Sequence, residues 1–139
     1  MPEIQKVIGR EIIDSRGFPT VEAEIHTVDG FAIASVPSGA STGKYEAHEL
    51  RDGDNKRFLG KGVSKAVENI KSIVRPKLIN SNFNNIREFD DKIIKLDGTN
   101  NKSNLGANST LALSIAFAKA LNIHKKINLF ELLTPDENF

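Results

Sequence analysis

The chain has 139 residues, enough to bury one core, and its 39% hydrophobic and 27% charged residues are those of a globular protein. Nineteen basic residues against eighteen acidic ones leave a formal charge of +1, so nothing electrostatic draws it to nucleic acid or to an anionic membrane. With no cysteine there is no disulfide framework, thiolate metal site or cysteine nucleophile, and no apolar run is long enough for a membrane span.

In chain order, Ile4 to Ile13 reads as a first strand, ended by the turn-like Asp14-Ser15-Arg16-Gly17-Phe18-Pro19. Val21, Ala23 and Ile25 then alternate with Glu22, Glu24 and His26, the period-two pattern of a half-buried strand. Asp29-Gly30 is a hairpin signal and Phe31 to Val36 the returning strand, which predicts a three-stranded antiparallel meander. After a polar, glycine-marked connection the period changes. Val63, Ala66, Val67, Ile70 and Val74 fall at helical spacing, and Pro76 should kink or end that helix. Ile86, Phe89, Ile93 and Leu96 mark a second helix closed by Gly98. Asn108 is the expected N-cap of a third, apolar nearly all round and therefore central, over Ser109 to Leu121. A last amphipathic turn or two covers Ile127 to Leu133. The fold class is α+β: the meander followed by a bundle of about four helices packed on one face of the sheet.

The most distinctive stretch is Val36 to Glu46, V-P-S-G-A-S-T-G-K-Y-E. Its small residues let a loop approach a ligand and change conformation cheaply, and its hydroxyls suit a phosphate, a hard metal ion or both; an ordinary solvent turn is the competing reading. A phosphate-binding P-loop fails, because three residues rather than four separate Gly39 from Gly43 and Tyr45 follows Lys44. Gly39-Ala40-Ser41-Thr42-Gly43 matches the letters of a nucleophile elbow, but Pro37 before it and Lys44-Tyr45-Glu46 after it lack the strand–turn–helix context. Asp90 and Asp91 are adjacent on a helix and point in different directions, which reads as a solvated face. Asp52 and Asp54 supply too few oxygens for a calcium loop. The histidines His26, His48 and His124 are scattered without ligand spacing. Arg10, Arg16 and Arg51 could each serve an ion pair, and the sequence does not choose among them.

Four ordered motifs converge on one family. V-P-S-G-A-S-T-G-K-Y-E-A-H-E-L-R-D-G-D resembles the flexible loop of the enolases, the glycolytic phosphopyruvate hydratases. So do D-S-R-G-F-P-T-V-E at Asp14 to Glu22, L-G-K-G-V at Leu59 to Val63, and L-D-G-T-N-N-K-S-N-L-G-A-N at Leu96 to Asn108. The resemblance runs from Ile4 to Leu133 and is to the family's amino-terminal domain, a three-stranded meander followed by helices. Departures are Ile86 in place of the usual Gln, Ser109 in place of Ala, and Asn128-Leu129-Phe130 in place of P-L-Y, all read as packing or capping changes.

The resemblance implies an enzyme that dehydrates 2-phosphoglycerate to phosphoenolpyruvate, with a lysine base, an assisting glutamate and two Mg²⁺ ions. In the family the bases and the carboxylate ligands of the first Mg²⁺ sit on a large barrel, and the chain is expected to be a single capping domain, residues 1–139, without that barrel and without a catalytic residue of its own. Carried over by position, Ser38, Gly39, Ala40, Ser41, Thr42 and Gly43 form the loop that folds over the substrate, and Ser41 is the ligand of the second Mg²⁺ in the complete enzyme. Arg10 and Glu22 resemble the residues of the family's dimer ion pairs, so a homodimer is implied. The expected partners are the barrel, 2-phosphoglycerate only in the complete enzyme, and a second copy; the expected location is cytoplasmic. The chain alone is expected to be inactive, and a non-catalytic interaction module is the alternative.

Overall fold

A computed structural model describes residues 1–38 and 43–134. Three strands, β1 (Ile4–Ile13), β2 (Pro19–Thr27) and β3 (Gly30–Ser35), form one antiparallel sheet in the order β1-β2-β3. The first turn is set by Asp14, whose carboxylate accepts from the backbone N–H of Arg16 (2.8 Å) and of Phe18 (3.0 Å). The strand alternation holds for Val21, Ala23 and Ile25, which are fully buried on the inner face. On the other face Glu24 departs from its expected exposure: it is 7% exposed, folded between Arg10 and His26, which both hydrogen-bond to its carboxylate. The Arg10 guanidinium and the hydrogen bond from the His26 ring offset the cost of that burial.

The helices follow as α1 (Ser64–Asn69), a π-helical segment (Ile70–Val74), α2 (Arg75–Leu78), α3 (Ile86–Asp97), α4 (Ala107–Lys125) and α5 (Leu129–Leu133). Pro76 was expected to kink or end the first helix, yet the chain continues to Leu78. Proline offers no N–H to the carbonyl four residues back, and the helix accommodates this by widening just before it, where the Arg75 N–H reaches the Ile70 carbonyl. α3 begins at Asn85, whose side chain accepts from the Glu88 N–H at 2.9 Å, and ends on Gly98 in the left-handed conformation (φ 74°). α5 opens with Glu131 accepting from the Asn128 N–H at 2.7 Å, so the Asn128 departure is indeed a capping change.

α4 is the helix on which the others pack: it lies across β2 and β3 and beside α3, with α1 touching both it and β1. Ala112, Ala116 and Ala120 let it come close to the sheet, while Leu113, Phe117 and Leu121 fill the gaps. Ser109, the second departure from the family pattern, is fully buried and donates to the Ala66 carbonyl at 2.9 Å, tying α4 to α1. Phe89 and Phe117 stack with ring centroids 4.3 Å apart, and Phe83 meets both edge-on at 5.4 and 5.7 Å. Truncating Phe117 to alanine therefore costs about 3–5 kcal/mol of folding stability, read from urea unfolding; a loss under about 1 kcal/mol would contradict this packing.

Candidate functional site

The loop singled out by the sequence follows β3, which ends at Ser35. Gly39, Ala40, Ser41 and Thr42 lie outside the described residues, so the proposed metal ligand Ser41 is not placed; the two ends, Ser38 and Gly43, are. Beside them opens a cleft of about 770 Å³, with Val36, Pro37 and Gly43 on the loop's side and His48, Arg51, Asn101 and Asn108 opposite.

Two arginines that the sequence left unassigned hold the near end. Arg16 donates from Nη2 to the Ser38 carbonyl at 2.9 Å. Arg51 donates from Nη2 to the Ser38 hydroxyl (3.2 Å) and to Glu49 Oε1 (2.8 Å), and from Nη1 to the carbonyls of Pro19 (2.5 Å) and Lys61 (2.7 Å). A planar five-donor fork can span a strand end, a loop and a connection at once, which a lysine ammonium cannot. The next residue, Asp52, accepts from the Ser64 and Lys65 N–H groups at 2.9 and 2.8 Å and so starts α1. Helix capping is thus the work of the first Asp of D-G-D, while Asp54 accepts from the Lys56 N–H at 3.0 Å within its own turn. Burial raises the cost of the Asp52 charge, but these donors and Arg57 hold its carboxyl below the ordinary range.

Across the cleft the chain is stitched by backbone and amide bonds. His48 donates its N–H to the Asn101 carbonyl and accepts from the Ala107 N–H, both at 2.7 Å. Asn108 was expected to cap the central helix. Instead α4 starts two residues earlier, from Gly106, and the buried Asn108 side chain pairs with both backbone groups of Leu50, accepting at 3.2 Å and donating at 3.0 Å. Gly106 sits at φ 94°, and a Cβ there would meet Asn108 Oδ1 at 2.5 Å and Leu50 Cβ at 2.6 Å, so only glycine lets these segments close. Asp97, 2% exposed, anchors the same turn by accepting from the N–H groups of Leu105 (2.7 Å) and Thr99 (2.9 Å) and from the Thr99 hydroxyl. Sequence reasoning gave Asp97 no role; its place at a helix end, as the Asp of D-G-T, was the available signal.

The other assigned residues lie elsewhere. Arg10 stands directly opposite Glu22 on neighbouring strands, with Nη1 3.3 Å from Oε1, and its second arm reaches Glu24. All three share the sheet face away from α4 with the exposed Phe31 and Ile33. Asp91 is exposed as read, but Asp90 is half-buried, turned by α3 into the hollow that it lines with Ser114 of α4, and burial pushes its carboxyl up from the ordinary value against the opposing Ser114 hydrogen bond. Among the described residues no three His, Cys, Asp or Glu side chains converge to hold a metal ion, and no helix is long and apolar enough to cross a membrane.

Burial opposes the Asp97 charge, but the Thr99, Leu105 and Asn104 hydrogen bonds outweigh it and hold the carboxyl below its ordinary value of 3.8. A depressed folded-state pKa stabilises the fold above the unfolded value and loses that contribution as pH falls through the folded one. Asp97→Asn should thus cost about 2 kcal/mol at neutral pH, and the gap from the unsubstituted chain should shrink below about pH 4 in urea titrations. A pH-independent gap would show that the charge is not what matters there.

The family model described as "Enolase, N-terminal domain" matches residues 4–133. Enolase 1 of Entamoeba histolytica is 55% identical over 130 residues, which cover 94% of this chain and 30% of that relative. This chain therefore spans less than a third of the relative's length. The residues that clamp the loop, cap α1 and close the Gly106 turn lie in the motifs on which the resemblance rests, and the chain belongs to the enolase family as an amino-terminal domain of that family.

Proposed function

We propose that this chain is the lid domain of a phosphopyruvate hydratase, the enzyme that dehydrates 2-phosphoglycerate to phosphoenolpyruvate in glycolysis. The observation that carries the reading is the double arginine clamp on Ser38, which fixes one end of the Ser38–Gly43 loop while a cleft stays open beside it. A loop anchored at its base and built of Gly39, Ala40, Ser41, Thr42 and Gly43 can swing over a substrate and exclude water without the domain moving.

The described residues do not make a Mg²⁺ site of their own. Ser41 brings neutral oxygens only, and the charged ligands and the bases belong to the barrel, which makes this domain a contributor to the site and not its owner. The homodimer is assigned to the open sheet face carrying Arg10 and Glu22, where Phe31 (55% exposed) and Ile33 (37%) add apolar area to the ion pairs. The enzyme is placed in the cytoplasm.

In the complete enzyme, Ser41→Ala should lower kcat by at least about tenfold, and Arg51→Lys, which leaves several acceptors of the fork unpaired, should lower kcat and cost about 1–3 kcal/mol of folding stability. The 139-residue chain alone should show no turnover of 2-phosphoglycerate. Full kcat in the Ser41→Ala enzyme, or turnover by the chain alone, would overturn the assignment.

A further inference from the structure

The connection between Arg51 and α1 carries three left-handed residues in succession, Phe58 (φ 49°), Leu59 (φ 53°) and Gly60 (φ 83°), a conformation disfavoured for the two that have side chains. Burial does not compensate them, since Phe58 is 42% exposed and Leu59 81%. What the turn achieves is a return of the chain: Gly53 donates its N–H to the Gly60 carbonyl at 2.9 Å, and Asp52 donates to the Gly62 carbonyl at 2.8 Å. Lys61 lies between these two bonds. Its carbonyl accepts from Arg51 Nη1 at 2.7 Å, and its ammonium lies over the Phe18 ring, 4.0 Å from the centroid. Phe18 belongs to the turn that carries Arg16, and its N–H is held by the Asp14 carboxylate at 3.0 Å. Lys61 thus touches both arms of the clamp, Arg51 through its backbone and the Arg16 turn through its side chain. The two arms meet again on Ser38, one at its hydroxyl and one at its carbonyl.

We infer that Lys61 is a positioning residue for the lid, a strut on Phe18 that sets the Arg16 turn and the Arg51 fork so that both reach Ser38 at once. The inference rests on the reading of the loop as the lid of a hydratase, and it adds to that reading a pair of residues acting on the loop from outside. Arg16 is exposed and sits in a turn that includes Gly17 at φ 80°, so one hydrogen bond to Ser38 is little to set against the freedom of that side chain. The Phe18 ring is a broad acceptor that takes an ammonium without demanding one direction, so the contact survives small movements of the turn. Being uncharged, the ring also holds Lys61 without drawing Arg16 or Arg51 away from Ser38. The strained turn at Phe58 and Leu59 then stands where a function can be set against its cost. Ser38 begins the loop, and a displaced base misdirects the closing segment that follows it.

The test uses the complete enzyme. Lys61→Met keeps the length of the side chain and removes its charge, and Phe18→Leu keeps an apolar side chain and removes the π face. Lys61 is exposed and Phe18 half-buried, so neither change empties the core. Each should lower kcat for 2-phosphoglycerate by about threefold, the equivalent of one exposed cation–π contact, with KM held within about a factor of two. The double variant should lose no more than either single one, while Lys61→Arg and Phe18→Tyr should keep the unsubstituted kcat. Hydrogen–deuterium exchange of the peptide spanning Ser38 to Gly43 should run about threefold faster in Lys61→Met, with exchange in α4 unchanged. An unchanged kcat in an otherwise active Lys61→Met enzyme, unchanged exchange at that peptide, or losses that multiply in the double variant would overturn the strut. A Lys61→Arg enzyme as slow as Lys61→Met would overturn the role of the cation. A complete protein with no turnover would instead count against the hydratase reading, and the exchange comparison would still decide for or against Lys61.

Discussion

The guanidinium of Arg51 bonds to three parts of the chain that would otherwise be free to separate: the start of β2 at Pro19, the loop base at Ser38 and the connection at Lys61. Glu49 balances its charge, so the fork is held by a carboxylate while its other donors are spent on backbone and hydroxyl oxygens. Such a group is hard to replace, since each partner lost leaves a half-buried acceptor without a donor. The loop's geometry at its base is thus a property of the folded sheet and not of the loop itself.

The same economy recurs around the cleft. Asp52 starts α1, Asp97 organises the turn before α4, and Asn108 reads the backbone of Leu50 as a strand would. Each is a polar side chain replacing a backbone partner in a segment without regular structure. The segment from His48 to Leu50 has no strand or helix of its own, yet it is bonded on one side to Asn101 and Ala107 and on the other continues into Arg51. These bonds hold the frame from which the small-residue loop springs.

Much of the fold was legible in the sequence, because periodicity reports burial directly. The three strands and the helices around Phe89 and Phe117 appear where alternation and 3.6-residue spacing put them. What escaped were choices made by tertiary contact. Whether Asn108 caps a helix or grips Leu50 depends on a segment nearly sixty residues away, and whether Glu24 is solvated depends on Arg10 across the sheet. Pro76 carries a strong local signal for a break, and the chain answered with a wider turn because Ile70, Val74 and Leu78 are all fully buried on the same face. Asp90 and Asp91 are alike in sequence and unlike in place, and only packing against α4 tells them apart. Of the site, the loop itself and its small residues were legible, while Arg16 and Arg51, which anchor it, were visible only as two unassigned charges.

Family membership, the α+β fold and the clamped loop together support a domain whose chemistry is completed by another. The most direct measurement is a chimera in which this chain replaces the matching 130-residue segment of Enolase 1, assayed for dehydration of 2-phosphoglycerate. The account predicts a folded enzyme that turns over its substrate and loses that turnover when Ser41 becomes alanine. A folded chimera with no activity, or one indifferent to Ser41, would contradict it.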